Sequence, residues 1–147
     1  MKRCVYLAGP TEIEGDTWRT KAGEKLEQMD FEPIDPMRGE QLRRVGKHLE
    51  SDVPDEAIVM RDLNDLRRTA LTGGICLMSL DTTSDGRRPI GTLFELMWCW
   101  LHGVPVVAVM GRNTDPMYRT HPWVKTMVTY KATSMTDALK FIEAYFA

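Results

Sequence analysis

Ile75-Cys76-Leu77-Met78-Ser79-Leu80 is a short apolar run, residues 91–101 are apolar at helical length, and Val104-Pro105-Val106-Val107-Ala108-Val109-Met110 is apolar again. Strand, helix, strand is the repeating unit of a parallel sheet flanked by helices. On either side the alternation continues. Residues 3–8 read as a first strand, stopped by Gly9-Pro10. A helix from about residue 17 to 29 follows, with Asp16 as N-cap and Trp18, Ala22, Leu26 and Met29 at helical spacing. Residues 31–35 read as a short second strand, and 37–52 are charged and less regular. Pro54 opens a helix whose buried face is Val59, Leu63, Leu66 and Ala70, and Gly73-Gly74 ends it. Residues 81–89 are polar, with a turn at Asp85-Gly86. Residues 111–124 read as a long loop and 128–130 as a fifth strand. Ser134 caps a last helix to Tyr145, with Asp137 three residues on.

The expected fold is therefore α/β: a doubly wound, five-stranded, mainly parallel sheet with helices on both faces, Rossmann- or flavodoxin-like. It is expected to form one domain over residues 1–147. Ligands bind beyond the carboxyl ends of such strands. Residues 9–16, 35–38, 81–91 and the segment from Gly111 are thus expected to meet in space.

Composition fits that expectation. The chain has 147 residues, 43% hydrophobic and 27% charged, enough for one core. Its net charge of -2 argues against a general nucleic-acid binder, which needs a basic excess. No apolar run reaches bilayer length, so no membrane partner is expected. The apolar residues 4–8 are too few for the core of a signal peptide, which makes a cytoplasmic protein the expectation. Cys4, Cys76 and Cys99 are widely spaced with apolar neighbours, so three buried reduced thiols are expected. No close Cys or His pair suggests a metal site, and no cofactor is expected.

Residues 91–102 contain the one oddly placed carboxylate. Leu93, Phe94, Leu96, Met97, Trp98, Trp100 and Leu101 cover most of the helix circumference, while Thr92, Glu95, Cys99 and His102 share one stripe. A carboxylate among apolar residues is costly unless paired or used. Near a helix N-terminus the dipole favours its ionised form, and a fixed, partly desolvated carboxylate is a good nucleophile for an acetal-like carbon. From the helix alone, a capping residue or half of a salt bridge is an equal alternative.

Several pieces, in order, resemble the nucleoside 2-deoxyribosyltransferases and the related hydrolases of 2-deoxynucleoside 5-monophosphates. They are Val5-Tyr6-Leu7-Ala8-Gly9-Pro10 with Trp18 and Arg19 behind it, and Ile34-Asp35-Pro36 followed by Arg38. Arg61-Asp62-Leu63-Asn64-Asp65-Leu66, Gly91-Thr92-Leu93-Phe94-Glu95-Leu96 and Gly103-Val104-Pro105-Val106-Val107 complete the set. The resemblance implies that Glu95 attacks the anomeric carbon of deoxyribose, forming a covalent ester that a second base or water resolves with net retention. It implies that Tyr6 orients Glu95, although strand alternation alone makes Tyr6 a core aromatic. It places Gly9, Pro10, Trp18, Asp35, Arg38, Asp62, Gly91 and Thr92 at the substrate.

Two positions depart from the family. Thr69-Ala70 stands where many members carry Ser-Asp, whose Asp helps protonate the leaving base. Arg87-Arg88-Pro89 stands where an Asp or Ser often precedes the Glu, with Asp81 and Asp85 as the nearest substitutes. The leaving-group acid is thus unassigned. Asp65, three residues before Arg68, reads as half of a surface ion pair.

Arg38, Arg43, Arg44, Lys47 and His48 form a basic cluster that reads either as a solvated helix face or as a lid for a 5-phosphate. Asn113, His121 and Trp123 could reach the site of a neighbouring subunit, and His121 before Pro122 could equally be a structural turn residue. The function expected from the resemblance is transfer of 2-deoxyribose between nucleobases. The alternatives are hydrolysis of 2-deoxynucleosides or their 5-monophosphates, and a non-catalytic nucleotide-binding module. The partners expected are a nucleoside or nucleotide and a free nucleobase. The Trp-rich helix adds the expectation of a homo-oligomer.

Overall fold

The computed structural model describes residues 1–11, 17–40, 42–46, 48–83 and 86–147, with only the backbone of residues 17 and 48. Five strands form one sheet: β1 (Cys4–Ala8), β2 (Glu32–Ile34), β5 (Ile75–Ser79), β6 (Val106–Val109) and β7 (Tyr130–Ala132). Their order is β2-β1-β5-β6-β7, and every pairing is parallel. This is the expected doubly wound sheet. β1, β5 and β6 lie inside it and bury nearly all their side chains, which explains their unbroken apolar runs.

Side chains alternate between the two faces. Val5 and Leu7 join Leu26, Phe31, Leu77 and Ile142 beneath α1 (Thr17–Gln28) and α6 (Met135–Tyr145). Tyr6 and Ala8 join Leu66, Met78, Leu96 and Cys99 beneath α2 (Asp55–Leu71) and α3 (Ile90–Leu101). Tyr6 is therefore turned towards the helix that carries Glu95. The chain leaves β1 for β2 on one side and returns to β5 on the other. That switch opens a crevice at the carboxyl ends of β1 and β5. Gly74 lets α2 lead into β5, because a Cβ there would stand 2.0 Å from the Cys4 carbonyl oxygen. The three cysteines are buried and free. Among the described residues no helix is long and apolar enough to cross a membrane.

Several expectations change. The charged segment is not a solvated helix: β3 (Leu42–Val45) and β4 (His48–Ser51) form an antiparallel hairpin. Arg43 pairs across it with Glu50 at 2.9 Å, and Gly46 turns with φ +61°. The 111–124 segment is not a loop but holds α4 (Pro116–Thr120) and α5 (Pro122–Met127). Its Asp115-Pro116 and His121-Pro122 pairs are N-cap followed by N1, with each cap side chain accepting a backbone N–H. The last strand begins at Tyr130, because Val128 still closes α5.

On α2 the fully buried residues are Asp65, Leu66 and Thr69, whereas Val59 is exposed. Its apolar stripe serves a cavity as well as the core. Asp65 does not pair with Arg68. It is buried and takes both guanidinium nitrogens of Arg38, at 2.6 and 2.9 Å, while Arg68 pairs with Glu32. The Asp16 cap and the Asp85 turn position lie outside the described residues.

Candidate active site

Glu95 lies in the second turn of α3, whose buried residues are Thr92, Leu96 and Cys99. The polar stripe is thus the one turned to the sheet, and it carries Glu95 against β1. There the Tyr6 hydroxyl donates to Glu95 Oε2. Burial pushes the Glu95 carboxyl up to about 7. The Tyr6 hydrogen bond and the Arg19 charge oppose that rise, and the Asp62 charge adds to it. Tyr6 is itself pushed far up, by burial first and then by the Glu95 charge, so it stays protonated and remains a donor.

Two cavities meet at this carboxylate. One, about 300 Å³, is mostly apolar, with walls from Val59, Leu63, Leu66, Phe94 and Trp98. The other, about 180 Å³, is lined by Gly9, Pro10, Arg19, Arg87, Arg88 and the α3 N-terminus from Ile90 to Thr92, among others. Asp62, Gly91 and Glu95 line both. A larger cavity of about 750 Å³ between the β3–β4 hairpin and the start of α2 touches none of Tyr6, Asp62 or Glu95. Size alone would single it out, but it lacks the Tyr6–Glu95 pair, so the smaller pair of cavities is the better candidate.

Of the residues expected at the substrate, Gly9, Pro10, Asp62, Gly91 and Thr92 line the site with Glu95. Trp18, Asp35, Arg38, Asn113 and His121 do not line it. Trp18 packs on Gly9, where a Cβ would come within 3.1 Å of its ring, and the Arg19 guanidinium stacks over it. Asp35 caps the Met37 N–H at 2.8 Å and lies 3.8 Å from Arg19. Arg38 is committed to Asp65. Asn113 is exposed, its carbonyl taking the Thr82 N–H at 2.9 Å. His121 is exposed at the start of α5, the structural role weighed for it.

Three of the expected clustered segments therefore meet at the site. The fourth is tied to the end of β5 through Asp81, which accepts from Gly111 N and Thr114 Oγ1 and so is no free acid. Among the described residues, the basic hairpin does not supply the site's cations. Arg19, Arg87 and Arg88 do. Arg19 is only 2% exposed, donates to the Leu7 and Gly9 carbonyls and so holds the turn after β1. Arg87-Arg88 had a signal in the sequence: two cations in a segment whose topology points at the crevice.

The fold and this site define a doubly wound α/β protein with a half-buried, tyrosine-held carboxylate at the sheet's switch point. Its fold is similar to that of the CMP N-glycosidase BcmB of Clostridium botulinum: TM-score 0.60 over 98% of this chain and 100% of that one, at 13% identity. Compared by sequence, the chain matches no protein-family model and no curated protein.

Proposed function

We propose that the chain cleaves the N-glycosidic bond of a nucleoside 5-monophosphate, with Glu95 as nucleophile and Tyr6 holding it in line. One observation carries this reading. The Tyr6–Glu95 pair stands where an apolar cavity meets one lined by arginines and a helix N-terminus. A nucleotide has the matching halves. Its flat base suits the Phe94, Trp98 and Leu63 walls. Its phosphate suits Arg87, Arg88 and the first amides of α3. The sugar then lies over Glu95. The structural neighbour's name, a CMP N-glycosidase, supports the same class of substrate.

Attack by Glu95 on the anomeric carbon gives a sugar ester, and a second displacement gives net retention. Transfer of 2-deoxyribose to another base, the fate implied by the sequence resemblance, is a second reading of the same intermediate. The exposed rim of the apolar cavity at Phe94 and Val59 favours it, since a departed base could be replaced there.

The test is product analysis over ribo- and 2-deoxynucleosides and their 5-monophosphates, with and without a free acceptor base. Free base from the monophosphates, absent in Glu95→Ala, is expected. A new nucleoside or nucleotide formed only with the acceptor would establish transfer. No base release from any substrate would leave the reading without support and favour a nucleotide-binding module.

A further inference from the structure

The cavity between the β3–β4 hairpin and the start of α2 shares Met37 and Arg87 with the arginine-lined cavity at Glu95, and no residue with the apolar one. It therefore adjoins the phosphate half of the site and not the base half. We propose that this cavity continues the substrate channel beyond the 5-phosphate: it admits an uncharged organic group esterified to that phosphate and turns away a second phosphate. This deepens the glycosidase reading and rests on it.

The junction between the two cavities stands on a fixed backbone. Asp35 caps the Met37 N–H at 2.8 Å. Arg38 binds Asp65 at 2.6 and 2.9 Å, and Glu40 takes Arg61 at 2.5 Å. The segment that carries Met37 is thus tied to α2 by the residues just after it. Arg87 donates to the Thr11 carbonyl at 2.6 Å, and Thr11 also lines the hairpin cavity. Met37 is half-buried and unbranched, so its side chain changes rotamer at low cost while the backbone stays in place.

Room and lining decide what passes. The hairpin cavity measures about 750 Å³, against about 180 Å³ for the arginine-lined one. Leu42, Leu49, Val53 and Ile58 supply apolar contact. Its charged residues are mostly acidic: Glu40, Glu50, Asp52, Asp55 and Glu56 against Arg87. Arg61 holds Glu40, and Arg43 holds Glu50. Asp55 and Glu56, in the first turn of α2, are exposed and have no ion-pair partner among the described residues. The α2 N-terminus counts as about half a positive charge, which two carboxylates in the same turn outweigh. A second phosphate entering here meets charge of its own sign. An alkyl ester adds no charge and buries apolar surface.

The experiment measures base release from three substrates built on one nucleoside: its 5-monophosphate, the butyl ester of that phosphate, and its 5-diphosphate. For the native chain, kcat/KM on the butyl ester is expected within about ten-fold of that on the monophosphate, and on the diphosphate about a hundred-fold or more below it. Asp55→Asn combined with Glu56→Gln is expected to raise the diphosphate-to-monophosphate ratio about ten-fold. Ile58→Trp, which fills the cavity, is expected to lower the ester-to-monophosphate ratio about ten-fold. A diphosphate cleaved as well as the monophosphate overturns the inference alone, as does an ester rejected as strongly as the diphosphate. So does a ratio that either variant leaves unmoved. If a variant melts well below the native chain, Glu56→Gln alone or Ile58→Phe goes through the same comparison. Absence of base release from all three substrates by the native chain overturns this inference together with the reading beneath it.

Discussion

Glu95 must be ionised to attack, yet its burial favours the acid. Tyr6 resolves part of that conflict through its hydrogen bond to Oε2. Tyr6→Phe removes a donor to an anion, an interaction worth about 1.5–3 kcal/mol. The Glu95 pKa then rises from about 7, so the acid limb of the activity profile moves to higher pH. Base-release assays should show kcat down roughly ten- to a hundred-fold at neutral pH by the same range. A Tyr6→Phe profile that keeps the native acid limb would mean the hydroxyl is a packing feature.

At the scale of elements, α3 carries both the nucleophile and the cation-rich entrance. Folding raises the Glu95 pKa above its ordinary 4.5 to about 7. A group raised in this way binds its proton more tightly when folded. Its contribution to stability is present below pH 4.5 and is lost as pH rises to about 7. Glu95→Gln keeps an acceptor for Tyr6 but cannot ionise. Thermal melts should show it a few degrees more stable than the native chain above pH 7, and equal to it near pH 4. The residues before α3 make a different prediction. Arg87 also donates to the Thr11 carbonyl, so it is partly structural, whereas Arg88 is exposed at the cavity. Arg88→Ala should raise KM for a 5-monophosphate about ten-fold with little change in kcat, the scale of one charge-assisted hydrogen bond, and should leave the unphosphorylated nucleoside unaffected.

Much of this element structure is legible in the sequence. Unbroken apolar runs mark β1, β5 and β6, because those strands are covered on both faces. The hairpin is not legible, because Leu42, Val45 and Leu49 are outnumbered by Arg43, Arg44, His48, Glu50 and Ser51, which hide the period of two. The Asp-Pro and His-Pro pairs read as loop signals, yet each starts a helix of under two turns, too short for periodicity to register. Glu95 stands out as polar within an apolar helix. Asp62 is marked only through the resemblance, since one carboxylate among several on a charged helix shows no pattern of its own until α3 is packed beside it.

For the whole molecule, the unmatched feature is apolar surface. On α3, Ile90 is 64%, Phe94 73% and Leu101 69% exposed, and Val59 of α2 stands exposed beside them, as do Trp100 and Trp123. One sheet face cannot cover a helix that is apolar nearly all round, and exposed apolar surface of this kind marks an interaction surface. A second copy of the chain is the occupant first expected from the sequence. The patch also borders the apolar cavity, since Phe94 and Val59 belong to both. Light scattering at micromolar concentration should therefore give at least a dimer. Leu101→Glu, distant from the cavity wall, should shift the mass to that of a monomer with the melt nearly unchanged, because the substituted side chain is already exposed. In that monomer the rim at Phe94 stays open to water, so KM for the substrate should rise several-fold while kcat changes less. A native chain that is monomeric at micromolar concentration would remove the oligomer and leave the exposed rim as an entrance for the base instead.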